Sequence, residues 1–342
     1  MKTSSLAIVS VFILFSSACK KSGSNVQLPP MQDSAFFAKG ADVSWLSQME
    51  ANNYSFYDPN GNKNDCLQIL KGLGVNSIRL RAWVNPSDGW CNTKDLVEKA
   101  TRAKNLGLRI MIDFHYSDSW ADPGKQNKPL AWDSLSTPDL VTTLHDYTHH
   151  VLDTLRSNGI IPQWVQVGNE TNDGMLWEDG RASTHMSTFA NLVTAGYNAC
   201  KEISDSIQVI VHISNGYDNT LFRWVFDGLT ANGGKFDIIG MSLYPSSSGW
   251  QSLNTQCLSN MTDLASRYGK PIMISEVGMD VTAAADCELF LKDLITKAKS
   301  LPGNKGLGVF YWEPEAYNWK GYPNGAFDIN GKPTVALSAF SN

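Results

Sequence analysis

From Lys39 onward, the chain alternates short apolar runs with longer segments of helical periodicity, and it does so eight times. Runs that are apolar at successive positions indicate strands buried on both faces, as in parallel sheets covered by helices. The predicted strands are Gly40–Trp45, Ser77–Trp83, Leu108–His115, Trp164–Gly168, Ile207–Ile213, Asp237–Tyr244, Ile272–Ser275 and Leu307–Trp312. Because a closed ring leaves no strand edge unpaired, the sequence predicts an α/β fold, a (β/α)8 TIM barrel, formed by a single domain over residues 34–342.

An open, doubly wound sheet is the main structural alternative to a barrel. Such a sheet would carry a glycine-rich phosphate loop after its first strand, but the run from Gly40 to Trp45 contains no second glycine. The net charge is -5, and the Lys and Arg residues are scattered along the chain. A nucleic-acid partner would require a clustered basic face, so we expect none and favour a neutral or polar substrate.

The N-terminus has the pattern of an export signal. Lys2 precedes an apolar run from Leu6 to Phe15, which is too short to span a bilayer and is followed by small residues and Cys19. This pattern predicts a lipoprotein signal peptide over residues 1–18, lipidation at Cys19 and a flexible tether over residues 19–33. The protein would then be exported and anchored to the outer membrane or cell surface; an ordinary secretory peptide cut nearby is the alternative.

The cysteines do not form a metal-binding motif. Five follow Cys19 at wide spacing, namely Cys66, Cys91, Cys200, Cys257 and Cys287. An odd number leaves at least one thiol free, and a disulfide between two others stays open in an exported protein. We expect most of them to be small buried side chains, and we expect the protein to be a monomer.

Polar residues end most of the predicted strands, at the edge where a barrel carries its active site. They are Asp42, Arg79, Arg81, Asp113, His115, Asn169, Glu170, His212, Asn215, Tyr244, Glu276, Trp312 and Glu313. Glu170 and Glu276 follow the fourth and seventh strands, which face each other across an eight-stranded ring. Two carboxyl groups flanking one bond are what retaining glycoside hydrolysis requires, so we predict Glu170 as acid/base and Glu276 as nucleophile.

The two predicted roles require opposite protonation states. Arg81, with Arg79 as a second candidate, is predicted to keep Glu276 ionised, and Tyr244 is predicted to donate a hydrogen bond to it. Asn169 precedes the acid and can bind a sugar hydroxyl. Trp312 is predicted to form the floor under the reacting sugar, and tryptophans in the loops could line a groove: Trp90, Trp120, Trp132, Trp177, Trp250 and Trp319.

Several motifs resemble glycoside hydrolase family 53, the arabinogalactan endo-β-1,4-galactanases, over most of the chain. They lie at 39–45, at 69–71 and 74–86, at 113–126, at 167–170 and at 275–278. The segment from Asp113 to Gln126, which includes Asp118 and Trp120, is the most specific of them. The Asn169–Glu170 pair is shared with sister families of barrel enzymes.

The resemblance implies internal cleavage of β-1,4-linked galactan, as in type I arabinogalactan, to galactooligosaccharides with retention. It also implies a set of substrate-binding residues, namely Arg81, His115, Asp118, Trp120, Asn169, Tyr244 and Trp312. The segment Met279–Glu288 is shorter than the calcium-bearing loop of relatives. We therefore expect no required cofactor and no metal in the active site, and a structural calcium is left open.

Three alternatives remain at this point. A surface glycan-binding lipoprotein would keep the barrel and its aromatic groove without cleaving the glycan. A sister enzyme of the same clan would act on another β-1,4-glycan. A metal-dependent hydrolase is disfavoured because His115 and His212 are isolated in the sequence.

Overall fold

The computed structural model describes Met1 and residues 37–341. The predicted signal peptide, apart from Met1, lies outside the described residues, as do the predicted lipidation site Cys19 and the tether 19–33. From residue 37 onward the described chain forms one compact unit. No helix among the described residues is both long enough and apolar enough to cross a bilayer.

Eight parallel strands close into a barrel, which confirms the predicted (β/α)8 TIM barrel. Each strand pairs with the next along the chain, and the eighth pairs with the first. The strands are β1 Ala38–Asp42, β2 Ser77–Ala82, β3 Arg109–Phe114, β4 Trp164–Val167, β5 Gln208–Ile213, β6 Ile238–Leu243, β7 Ile272–Val277 and β8 Gly306–Trp312. The predicted strands all exist, with ends that differ by up to three residues.

Helices surround the barrel. The described residues include α1 Leu46–Ala51, α2 Cys66–Gly72, α3 Thr93–Asn105, α4 Thr137–Ser157, α5 Ala182–Ile203, α6 Asn219–Ala231, α7 Trp250–Tyr268 and α8 Ala284–Lys299. Several begin at a side-chain cap: the carboxylate of Asp65 accepts from the N–H of Gln68, for example. The short α1 lies in the loop after β1, and a 3-10 helix, Val335–Phe340, follows β8 in place of an eighth outer α-helix.

The barrel interior has an apolar lower layer and a polar upper layer. The lower layer consists of Ala38, Met111, Trp164, Ile210, Ile238, Met273 and Phe310. Side chains two residues apart on a strand share a face, so Asp113 lies above Met111 and Gln166 lies above Trp164. This change from apolar to polar side chains places the charged groups at the carboxyl ends of the strands.

All five described cysteines are buried and carry free thiols, so no disulfide links them. Burial raises the pKa of the Cys257 thiol to about 12 and that of Cys200 above its usual range. The disulfide that the sequence left open is therefore absent from the described residues. Four of the five are buried side chains of the outer helices, whereas the Cys91 thiol, in the loop before α3, lies 3.5 Å from a guanidinium nitrogen of Arg81.

The lower layer of the barrel yields a stability prediction. Phe310 is fully buried, and its ring fills the space that Gly40 leaves, because a Cβ on Gly40 would lie 2.1 Å from the Phe310 ring. Replacing Phe310 by alanine should lower the free energy of unfolding by about 3–5 kcal/mol, since it leaves a cavity under the polar layer. Urea unfolding measures this change. Leu289→Ala, at an exposed position of α8, is the control; equal effects of the two variants would refute the layer assignment.

Candidate active site

The upper layer of the barrel is organised around one buried guanidinium. Arg79 on β2 lies 2.6 Å from Asp42, 2.9 Å from Asp113 and 2.8 Å from Glu276. Burial alone would lower the pKa of Arg79, but the three carboxylates raise it above its usual value. Arg79 therefore stays charged, and it keeps three acidic side chains from β1, β3 and β7 together.

Glu276 faces the barrel interior because of a β-bulge. In the pairing of β6 with β7, Met241 opposes Ile274 and Ser242 opposes Glu276, so Ser275 is an extra residue. Strict alternation from Met273 would turn Ser275 inward and Glu276 outward. The bulge shifts the alternation by one residue and turns the Glu276 carboxylate towards Arg79.

Glu170 lies in a tight turn three residues after β4. Gly168 has φ 85° and Glu170 has φ 45°, both in the left-handed region. A Cβ on Gly168 would lie 2.5 Å from Thr171 Cγ2, so this position requires glycine. The Glu170 N–H donates to His212 Nδ1 at 3.4 Å, and Ser242 Oγ donates to Glu170 Oε1 at 2.7 Å. These contacts hold the carboxyl group at the mouth of the barrel.

The two glutamates have different electrostatic surroundings. Burial raises the pKa of each, and the proximity of Glu170 raises the pKa of Glu276 further. Arg79 opposes this rise through its direct ion pair with Glu276, and Tyr244 Oη donates to Glu276 Oε2 at 2.9 Å. Because Glu276 has the direct contact with a cation, the negative charge of the pair is better stabilised on Glu276 and the proton on Glu170.

Both glutamates line a single cavity of about 420 Å³ at the carboxyl ends of the strands. Five residues predicted to bind substrate also line it, namely His115, Trp120, Asn169, Tyr244 and Trp312. Other lining residues come from the loops after β3 and β5 and from β6: Ala121, Asp122, Pro123, Ser214, Asn215, Tyr217 and Ser242. The cavity is thus mixed in character, with aromatic faces and many hydrogen-bonding groups, as suits a sugar ring.

An aromatic cluster supports one wall of this cavity. The Trp312 ring lies 5.1 Å from Trp45, 5.8 Å from Trp120 and 4.8 Å from Tyr322, measured between ring centroids, with edge-on geometry. Trp45 is buried, whereas Trp312 and Trp120 are partly exposed. The two exposed rings are therefore held in fixed orientations by the ring behind them.

Arg81 does not occupy the position predicted for it. The contact with Glu276 belongs to Arg79, so the prediction that Arg81 holds Glu276 is wrong, and Arg81 is absent from the cavity lining. Its guanidinium is fully buried, lies 3.1 Å from Glu313 and stacks 4.2 Å from the Trp120 ring centroid. Arg81 lies two residues after Arg79, nearer the carboxyl end of β2, and its ion-pair partner there is Glu313.

Asp118 also lies outside the cavity lining. One carboxylate oxygen accepts from the N–H of Asn85 and the other from the N–H of Leu130, both at 2.9 Å. The sequence placed Asp118 in contact with substrate because it lies in the distinctive segment after β3. In the structure it ties two loops together instead.

His115 contacts Asp113 and so joins the charge cluster from the side. Its Nδ1 accepts from the N–H of Ala121 at 3.0 Å, which leaves the proton on Nε2 to donate to Asp113 at 3.0 Å. Burial lowers the pKa of His115, so the ring is neutral. His115 can therefore face a sugar hydroxyl without adding charge to the cavity.

Ser242 and Gln166 are site residues that were not predicted from the sequence. Gln166 Nε2 donates to Asp113 at 2.5 Å, and its Oε1 accepts from Arg79 at 3.2 Å. Ser242 contacts both Glu170 and His212. Ser242 lies on β6, two residues before Tyr244, and residues with this spacing in an extended chain share a face, which is the signal that could have identified Ser242.

No group of three His, Cys, Asp or Glu side chains in the described part of the chain could hold a metal ion. The clustered carboxylates of Asp42, Asp113 and Glu276 are paired with Arg79 instead. Asp58 and Asn62, two of a run of oxygen-bearing side chains at alternate positions from 58 to 64, hydrogen-bond to each other: Asp58 accepts from the backbone and side-chain nitrogens of Asn62 at 2.8 and 3.0 Å, which makes an ordinary turn.

Known proteins are similar to this chain in both sequence and fold. The family model "Glycosyl hydrolase family 53" matches residues 38–288 and 282–340. The "Uncharacterized protein in bgaB 5'region" of Niallia circulans is 37% identical, over 89% of this chain and 93% of its own length. The "Probable arabinogalactan endo-beta-1,4-galactanase A" of Neosartorya fischeri is 33% identical, over 81% of this chain and 83% of its own.

A solved fungal beta-1,4-galactanase superposes with a TM-score of 0.83 at 30% identity, covering 90% of this chain and 99% of its own. The family match therefore extends over nearly all of the described residues and includes every strand of the barrel. The chain belongs to glycosyl hydrolase family 53.

Proposed function

We propose that this protein is an endo-β-1,4-galactanase that hydrolyses galactan and type I arabinogalactan to galactooligosaccharides with retention of configuration. The observation that carries this proposal is that Glu170 and Glu276 line one cavity in different electrostatic surroundings. Retaining hydrolysis needs one carboxyl group ionised and the other protonated on either side of the bond. The choice of galactan rests on the relatives that are named as galactanases.

In the first step, the Glu276 carboxylate attacks the anomeric carbon while Glu170 protonates the glycosidic oxygen. The C–O bond breaks, the shortened chain leaves as an alcohol, and the sugar is bound covalently to Glu276. Arg79 and Tyr244 orient the attacking carboxylate. The negative charge on Glu276 disappears in this step, so the pKa of Glu170 falls after it has given up its proton.

In the second step, the Glu170 carboxylate removes a proton from water as the water attacks the same carbon. The bond to Glu276 breaks, which regenerates both groups in their starting states. Asn169 is proposed to bind the hydroxyl next to the reacting carbon, and Trp312 and Trp120 to stack on sugar rings. The protein's own side chains supply every group in this scheme, and we propose that no cofactor is required.

The proposed activity predicts both the substrate and the stereochemistry of the product. Protein without residues 1–24 should release reducing ends from β-1,4-galactan, with oligosaccharides as early products and a turnover number in the range of about 1–1,000 per second. The first product seen by proton NMR should have the β configuration, and EDTA should leave the rate unchanged.

Mannan, xylan and cellulose serve as controls. Binding without products would favour a glycan-binding protein, and cleavage of a control glycan in place of galactan would favour a different specificity within the clan.

Alanine substitutions distinguish the roles of the two glutamates. Glu170→Ala should lower kcat on galactan by about 100- to 10,000-fold, because the leaving group loses its proton donor. With an aryl β-galactobioside, whose aryl group leaves without a proton donor, azide should restore this variant and give β-galactobiosyl azide, since azide attacks the galactobiosyl-enzyme from the face that water uses. Glu276→Ala cannot form that intermediate and should give no β-azide.

Glu98→Ala, at an exposed position of α3, is the matched control and should keep wild-type activity. Recovery of β-azide from Glu276→Ala and not from Glu170→Ala would reverse the two roles.

We also propose that the protein is exported as a monomeric lipoprotein anchored through Cys19 to the outer membrane or cell surface. The support is the short apolar run followed by small residues and cysteine, together with a substrate that is an extracellular polysaccharide. A lipid at the end of a tether would hold the barrel near the membrane without embedding it.

Labelling with a fatty acid tests this anchor. Wild-type protein labelled with palmitate in a bacterial host should carry the label and fractionate with membranes, whereas Cys19→Ala should lose both properties because the thiol is the acceptor. Lys21→Ala is the control for the same segment. Membrane fractionation and label that survive in Cys19→Ala would exclude a lipid at this cysteine.

A further inference from the structure

A chain of two hydrogen bonds links a buried histidine to the proposed acid/base. His212 Nε2 lies 2.8 Å from Ser242 Oγ, and Ser242 Oγ lies 2.7 Å from Glu170 Oε1. His212 is fully buried on β5 and Ser242 is buried on β6, whereas Glu170 is partly exposed in the cavity. Within the described residues, these are the two hydrogen bonds of the Ser242 hydroxyl.

The other ring nitrogen of His212 determines the direction of this chain. Nδ1 lies 3.4 Å from the N–H of Glu170 and 3.0 Å from Gln166 Nε2, and both of these groups are donors. Asn169 Oδ1, which is also 3.0 Å away, already accepts from Arg79. Nδ1 is therefore an acceptor, and the ring proton lies on Nε2 and points at Ser242.

The His212 ring carries one proton, on Nε2, and does not gain a second. Burial and the nearby Arg79 charge lower its pKa well below the usual value, so the ring stays neutral. The hydroxyl oxygen of Ser242 then accepts the hydrogen bond from His212. The single hydroxyl proton of Ser242 is donated to the Glu170 carboxylate.

We infer that Ser242, oriented by His212, is a positioning residue that donates a fixed hydrogen bond to the ionised form of Glu170. This inference rests on the acid/base role proposed above for Glu170. A hydrogen bond to a carboxylate stabilises the charged form, so Ser242 opposes the effect of burial on Glu170. It stabilises the carboxylate that forms when Glu170 protonates the leaving group, and it keeps that carboxylate aimed for the water step.

Ionisable groups from several other elements also act on Glu170. They are Arg79 on β2, Asp113 on β3, Asp122 in the loop after β3, His212 on β5, Tyr244 after β6 and Glu276 on β7. A substitution at Ser242 adds or removes none of these ionisable groups. A change in the pKa of Glu170 in this variant therefore reports on the loss of the hydrogen bond from Ser242.

The experiment compares the pH profiles of the full-length wild-type chain and of Ser242→Ala on β-1,4-galactan. Loss of the hydrogen bond should move the alkaline limb of kcat/KM to higher pH by about one unit, because Glu170 then holds its proton more tightly. The acidic limb, which reports Glu276, should move much less. An alkaline limb that stays in place or moves to lower pH would overturn the inference.

Ser275→Ala is the matched control. Ser275 is a buried serine on β7, and its hydroxyl has no hydrogen-bond partner among the described residues. This variant should keep the wild-type alkaline limb. A shift equal to that of Ser242→Ala would show that removal of any nearby hydroxyl has the same effect, which would also overturn the inference.

A second measurement does not depend on activity. Carbon-13 NMR of glutamate-labelled protein gives the titration of Glu170 directly, with its resonance identified by its loss in Glu170→Gln. The Glu170 pKa should be higher in Ser242→Ala than in the wild-type chain, and equal values would refute the role of Ser242. If the wild-type chain cleaves no galactan, the proposed function fails alone, and this titration still decides the inference.

Discussion

The ion cluster of Arg79 is the interaction on which the upper half of the barrel depends. Asp42, Asp113 and Glu276 come from three different strands, and each would be costly to bury without a partner. A single guanidinium with five N–H donors can contact all three carboxylates at once, which the compact ammonium group of a lysine could not do in the same geometry. The cluster therefore fixes the positions of the strand ends relative to one another, and with them the mouth of the barrel.

This cluster also makes the two glutamates chemically unequal. Glu276 is bound by a cation and by Tyr244, whereas Glu170 is held by the neutral hydroxyl of Ser242. The inequality follows from position: Glu276 lies inside β7, at the level of Arg79, and Glu170 lies in a turn beyond β4. A pair of identical side chains can thus take the roles of nucleophile and acid because the barrel places them at different depths.

The depth of a side chain in the barrel is also a property that the sequence could not reveal. The eight strands and the two glutamates follow from apolar runs and from the residues that end them. Arg79 and Arg81 share one face of β2, and periodicity cannot rank them, although two residues separate them by about 6.6 Å along the strand. That distance decides whether an arginine meets Glu276 or Glu313. The bulge at Ser275 was equally hidden, because the predicted strand ended there and alternation alone turns Glu276 outward.

Loop side chains have no periodicity, and the tryptophans illustrate the consequence. Trp120 lines the cavity, whereas Trp132, Trp250 and Trp319 are buried in the protein. Trp120 keeps its place because the guanidinium of Arg81 stacks on its ring, and that guanidinium is in turn neutralised by Glu313. Two buried ion clusters, one on each arginine of β2, therefore serve separate parts of the site. One orients the proposed nucleophile, and the other supports an aromatic wall from behind without lining the cavity.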